Sequence, residues 1–468
     1  MKRSRSGCLN CKQRKRKCDQ ARPECQSCKN RNLQCSGYQR PVRWANGIAS
    51  RGRFVGVNPG LLIPPINPDV SVAISLDSAP ATSWGRGSSG TSLNKAFRQD
   101  DQNVFDRFLT TGLSAISSGP VHWLAPYLEE LSKESTSLLI VVAALQTYLE
   151  DGLTVKSMEH LDRALRAFRG ELAIQDGQPA ISTVCSGLLL CTVCIYQLRP
   201  FTPYVGLIAD VHNLPDDLGK PPRDPWSHPL SRHFLEVLGV MDLPSNVVGR
   251  VNPTRRIWKH IPSTDTLPET PLQTDTEVVT GMPKSLLDIF ANLGDEIGTE
   301  TESRFWDWQA PQNRHPQHHC WNTWRYAGIL DLRRRQKLSR PKDTLCVDEQ
   351  AGYQFHSVPA SEAIYARLMV DLEAVYRNFM STQSMGQAKF PHGILYPYTI
   401  ASLEISLLKT NSLWQKLLYD FRVSVFQNFG LKTVDKLNEL LDQAWQSGSD
   451  TFDIDQAAQK QGIEIALL

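Results

Sequence analysis

Met158, Leu161, Leu165, Phe168 and Leu172 recur at intervals of 3, 4, 3 and 4, with Arg163, Arg166 and Arg169 turned mostly to the other side. That spacing puts one apolar stripe and one solvated face on a helix. Similar stripes recur at Val104/Phe105/Phe108/Leu109, at Leu286/Leu287/Phe290/Leu293, along residues 321–338, and at Leu413/Leu417/Phe421/Val425 followed by Val434/Leu437/Leu441/Trp445. Strand-like alternation is scarce. Residues 101–468 are therefore expected to form one large all-α domain, interrupted by Pro-rich loops near residues 200–229 and by an exposed insertion over 263–280. The apolar runs at 138–145 and 184–196 fall short of the roughly 18 residues a bilayer span needs, so no membrane segment is expected.

Ahead of the stripes the pattern fades. Between residues 57 and 95, Pro, Gly and Ser fill 16 of 39 positions, which predicts a flexible linker over 41–100. Gly85, Gly87 and Gly90 formally match a dinucleotide fingerprint, but no strand precedes them and no helix closely follows. Without that setting the motif cannot place a phosphate on a helix N-terminus.

Charge changes the picture at the N-terminus. The whole chain of 468 residues carries a formal +3, yet residues 1–44 hold thirteen Lys and Arg against Asp19 and Glu24, a local +11. The remaining 424 residues carry −8. A compact basic head on a mildly acidic body is the charge layout of a nucleic-acid binder with its contact surface at one end.

Six of the eleven cysteines fall in this head, at Cys8, Cys11, Cys18, Cys25, Cys28 and Cys35. Each of the first three recurs 17 residues later, so the head is two copies of one half-site. Two separate tetrahedral zinc ions would need eight thiolates; six suffice if two of them bridge both metals. The repeat nominates the cysteines that open the two halves, Cys8 and Cys25, as bridges. With every position taken by thiolate the zinc is structural, two ions per chain. The competing readings are weak: ordinary buried thiols do not repeat in register among lysines and arginines. The opening MKRSRSGC has no apolar stretch after its charges, so no secretory leader and no disulfide framework are expected.

Between the second and third cysteines runs Lys12-Gln-Arg14-Lys15-Arg16-Lys17, with good helix propensity. Such a helix, pinned to metal at both ends, can enter a major groove without a large core behind it. Arg or Lys on guanine O6 and N7 is the commonest specific contact there. The same cations also suit a nuclear-import receptor.

Residues 7–36, including the Arg22-Pro23 pair before Cys25, resemble the fungal Zn2Cys6 binuclear-cluster DNA-binding domain of zinc-cluster transcription factors. The resemblance implies Cys8 and Cys25 as bridges, Cys11 and Cys18 completing one zinc, and Cys28 and Cys35 the other. It implies CGG-type triplets read by Arg14 and Lys15, with Lys12 and Lys17 on phosphates. Arg16 departs from the apolar or small residue common in the family, so base preference here can differ. The remainder is similar to a fungal-specific transcription-factor domain, through the helix at 158–172, the apolar run after it, Gly281-Met-Pro-Lys-Ser-Leu-Leu-Asp, and the tail from Trp445. Together these imply a nuclear regulator of RNA polymerase II genes acting on double-stranded DNA, in a family that controls nutrient use, drug response or secondary-metabolite clusters. Residues 36–60 lack the heptad pattern of a zipper, so a homodimer, where one forms, pairs through the helical body.

Other candidates read as structure. His315, His318, His319 and Cys320 are expected in a polar Pro-containing loop, and Cys185, Cys191 and Cys194 as buried thiols. Arg333 to Arg335 are expected on the outer face of a helix. No nucleophile elbow, HExxH, P-loop or catalytic carboxylate pair is present, so no enzyme is expected. A pocket in the body for a small-molecule inducer is the alternative reading, with DNA binding as output.

Overall fold

The computed structural model describes residues 100–468 apart from 120, 175–179, 212–228, 262–274, 294–298, 312–314, 340–357, 385–392 and 427–430. In the N-terminal region it describes residues 11, 18, 19, 21, 25–31, 33 and 35. Residues 41–99 of the predicted linker at 41–100, Cys8, and the basic run with Lys12, Arg14, Lys15 and Lys17 lie outside the described residues. The chain divides into two compact units, Met1–Arg86 and Gly87–Leu468.

The second unit is built of helices. The helix Thr136–Asp151 is apolar around most of its circumference, and Leu138, Val141, Val142, Ala143 and Leu145 are fully buried. A helix of that composition belongs in the middle of a core. It packs against the helices Val155–Ile174 and Ile181–Tyr196. Ser135 caps its start, accepting from the Leu138 amide at 3.1 Å, and Gly152 ends it at φ +67°, a conformation that favours glycine. Glu171 joins the three helices: its carboxylate accepts from the Ser135 hydroxyl at 2.9 Å and the Thr183 hydroxyl at 2.7 Å. Both donors stand at helix starts, where the backbone dipole favours a negative charge.

A second apolar cluster forms around Phe290, whose ring meets those of Phe305, Trp324 and Tyr396 at 4.9, 5.2 and 5.4 Å. The long helices His315–Ser339 and Ser361–Ser384 pack side by side over it. The approach of Phe305 is close enough that a Cβ on Gly328 would lie 2.7 Å from its ring. Near the C-terminus, Ile465–Ala466 pairs antiparallel with Val247–Val248, Val247 opposite Ala466. The preceding residue, Glu464, is fully buried and accepts from the amides of Phe201 and Thr202 at 2.7 and 2.9 Å. Among the described residues this two-stranded ribbon is the sheet content of an otherwise helical unit.

Several expectations need correcting. His315 to Cys320 open a helix rather than lie in a loop. Pro316 stands in the first turn, where its missing N–H has no intrahelical partner to lose. Arg333 to Arg335 do not form an outer face: Arg333 pairs with Glu302, Arg334 is 5% exposed and donates to the Phe452 carbonyl, and Arg335 meets Asp331 at 2.9 Å. The last part of the expected insertion, residues 275–280, is folded in. Glu277 is buried there and accepts from the Val279 and Thr280 amides, both at 2.8 Å. The stripe positions Met158, Leu413 and Trp445 are exposed, while Leu161, Leu165, Phe168, Leu417, Phe421 and Leu437 are buried.

Cys185, Cys191 and Cys194 are buried as expected, and burial pushes all three thiols up, Cys194 to about 12. His318 meets the Pro311 carbonyl at 2.9 Å and His319 meets Asp371 at 2.6 Å, so these two imidazoles serve different partners.

Candidate metal centre

Among the described residues of the N-terminal unit the buried side chains are sulfurs. Cys25 is fully buried, Cys28 is 2% exposed, and Cys11 and Cys18 are each 5% exposed, with Leu33 and Cys35 packed against them. The short helix Gln26–Lys29 carries Cys28 inward. Cys25 caps this helix, its Sγ accepting from the Cys28 amide at 3.3 Å. An N–H aimed at sulfur stabilises the thiolate and fixes the direction of its remaining lone pairs.

Ligand atoms of Cys11, Cys25 and Cys28 all lie within 4.8 Å of one another, and so do those of Cys18, Asp19 and Cys25. Cys25 is common to both groups. Cys11 Sγ and Cys25 Sγ are 3.7 Å apart. A tetrahedral zinc with Zn–S bonds of about 2.3 Å has sulfur–sulfur edges of about 3.8 Å, so this pair fits one edge of such a site. A centre filled by thiolates would leave no position for water or substrate, and its metal would be a structural element.

Asp19 is a residue of the candidate centre that the cysteine spacing did not reveal. Its two carboxylate oxygens accept from the amides of Gln26 and Ser27, each at 3.0 Å. Donation from Ser27 and then Gln26 holds its carboxyl down at about 2. It ties the chain after Cys18 to the start of the helix behind Cys25, so the two groups of cysteines are held to each other by these hydrogen bonds. Aspartate is a preferred partner for helix-start amides. Here it acts from seven residues away, outside the local window in which a cap is read from sequence.

Of the sequence-predicted residues, Cys11, Cys18, Cys25 and Cys28 are brought together, and Cys35 packs beside them. Cys8 and the basic residues Lys12, Arg14, Lys15 and Lys17 lie outside the described residues. Lys29 and Arg31, after Cys28, are exposed.

Residues 6–45 match the family described as the fungal Zn(2)-Cys(6) binuclear cluster domain. No curated protein and no solved structure matches the chain significantly. The N-terminal region is therefore a Zn2Cys6 domain with its cysteines positioned for metal, and such a domain implies a zinc-dependent, DNA-binding transcription factor. The match ends at residue 45, and the likeness of the helical remainder to a fungal-specific transcription-factor domain has no counterpart in it. No helix among the described residues is long and apolar enough to cross a membrane.

Proposed function

We propose that the protein is a nuclear, sequence-specific regulator of RNA polymerase II transcription that reads CGG-like triplets in the major groove. Arg14 and Lys15 make the base contacts, and Lys12 and Lys17 bind phosphates. Two zinc ions per chain are held by Cys8, Cys11, Cys18, Cys25, Cys28 and Cys35, with Cys8 and Cys25 shared. The observation that carries this reading is the match of residues 6–45 to the Zn2Cys6 family, supported by the gathering of Cys11, Cys25 and Cys28, and of Cys18 and Cys25, within 4.8 Å. Residues 1–40 are the DNA-binding domain, 41–100 the linker and 101–468 the regulatory body.

Selection from random duplexes by the full-length protein and by residues 1–60, with bound zinc counted on the same samples, tests it. Two zinc ions with paired CGG-like triplets are expected, pairing being lost in the fragment because chains associate through the body. A single triplet from both would make the protein a monomeric reader. No enrichment in the presence of two zinc ions would refute direct reading.

A second reading is favoured by one feature of the helical unit, a cavity of about 290 Å³ walled largely by aliphatic and aromatic side chains. In this reading the body also senses a small-molecule inducer and DNA binding is its output.

A further inference from the structure

The cavity lies between the helices Ile181–Tyr196 and Pro229–Asp242, the segment 113–128 and the C-terminal residues 466–468. Leu188, Leu189, Ile195, Phe234, Val237 and Met241 make much of its wall. Protein cores pack at the density of organic crystals, with few voids larger than one water. An apolar void of about 150 Å³ stays dry and takes up benzene; this one is close to twice that volume.

Its polar side chains are few: besides His233 they are Ser117, Thr192, Tyr196 and Thr433. The Ser117 and Thr192 hydroxyls donate to carbonyls of their own helical turns, Leu113 at 2.9 Å and Leu188 at 3.2 Å. No Asp, Glu, Lys or Arg side chain lines the cavity among the described residues. A charged guest would therefore lose its hydration without gaining a counter-ion. His233 also lines it, held edge-on by Trp123 at 5.2 Å and tilted on Phe234 at 5.7 Å. No hydrogen bond from a described residue reaches its ring nitrogens. Burial pushes this imidazole down to about 4, against the pull of Glu236, whose charge is already taken up by Arg232 at 2.9 Å and Lys284 at 2.7 Å. At neutral pH His233 is therefore an uncharged ring with one donor and one acceptor.

We infer that this cavity binds a neutral, predominantly apolar small molecule of one or two ring systems, with one hydrogen-bonding group that meets the His233 imidazole. The inference deepens the sensor reading and rests on it. Apolar walls supply affinity, and the single imidazole sets the orientation, as in preformed small-molecule sites.

The test uses zinc-loaded full-length protein titrated with N-phenyl-1-naphthylamine, a neutral fluorophore of two aromatic ring systems with one N–H. The anionic 1-anilinonaphthalene-8-sulfonate serves as comparison. One neutral probe per chain is expected, with the anion about tenfold weaker or worse. Leu189→Trp, which fills the cavity, should abolish binding. His233→Phe should weaken it about fivefold with an unchanged melting temperature at neutral pH, so that the result does not depend on the fold of the first variant. Absence of neutral-probe binding, or binding indifferent to both substitutions, overturns the inference. If the anion binds instead and Leu189→Trp removes it, the sensor reading survives and the neutral ligand class falls. If neither probe depends on the cavity, both fall, while zinc content and duplex retention on the same samples report separately on the DNA-binding role.

Discussion

Among the described residues of the N-terminal unit, Cys11, Cys18, Cys25 and Cys28 are the buried hydrophobic side chains, with Leu33 and Cys35 at their flank. The C-terminal unit buries two broad clusters of aliphatic and aromatic residues, one around Leu138–Leu145 and the helix Ile181–Tyr196, the other around Phe290 and Trp324. A segment of some forty residues cannot bury enough apolar surface to offset its chain entropy and needs a metal or disulfides instead. A unit of several hundred residues has no such need. The contrast means that metal and hydrophobic burial are separable supports in one chain, and that each can be removed without the other.

The sharpest way to break the comparison is to take the metal away. Chelation of zinc, or Cys25→Ser, should unfold the N-terminal unit, since structural zinc contributes on the order of 10 kcal/mol to folding of such modules. Far-ultraviolet dichroism should show the helical unit melting where it did before. A joint loss of both would show that the two units are not independent. Conversely, Phe290→Ala leaves a hole among three rings and should cost the helical unit about 3–5 kcal/mol by thermal or urea unfolding, with zinc content unchanged.

A smaller effect separates the units by pH. The folded pKa of His233, about 4, is below that of an exposed imidazole, so the unfolded chain protonates first as pH falls. Its contribution is complete above about pH 6.5 and is lost progressively toward pH 4, by on the order of 3 kcal/mol. His233→Phe should flatten that part of the pH–stability curve relative to the parent protein; parallel curves would show that the imidazole is hydrated in the native state. The smallest effect falls on recognition alone. Lys15→Ala should cost about 1–3 kcal/mol of binding and relax preference at one base pair, measured by competition with single-site duplex variants. A loss uniform over all duplexes would make Lys15 a phosphate contact.

How far the sequence could be read follows the same division. Cysteine spacing is local and nearly free of alternatives, so the gathering of Cys11, Cys18, Cys25 and Cys28 could be anticipated from sequence, but Asp19 could not, because its partners Gln26 and Ser27 are reached only once the chain folds back. In the helical unit the 3.6-residue period located stripes well and stripe ends poorly. Met158 and Leu413 stand at the first position of their stripes and Trp445 at the last, where the helix surface is already leaving the core. Arg333 and Arg334 looked solvated because their partners, Glu302, the Pro359 carbonyl and the Phe452 carbonyl, lie tens of residues away along the chain. Pro316 was read as a loop marker, whereas in a first turn it favours the helix. The cavity has no sequence signature at all: the wall residues are those of any apolar core, and a void is a property of how they fail to meet.

The pairing of Ile465–Ala466 with Val247–Val248, and of Glu464 with an amide 263 positions earlier, has a consequence in time. Chains are made at roughly 5–20 residues per second. Phe201 and Val247 therefore leave the ribosome on the order of ten seconds or more before their partners exist, and through that interval their edge of the unit is open to chaperones. The six cysteines all lie within residues 8–35 and are synthesised first. A growing chain thus holds all six of these cysteines long before the helical unit can close its edge.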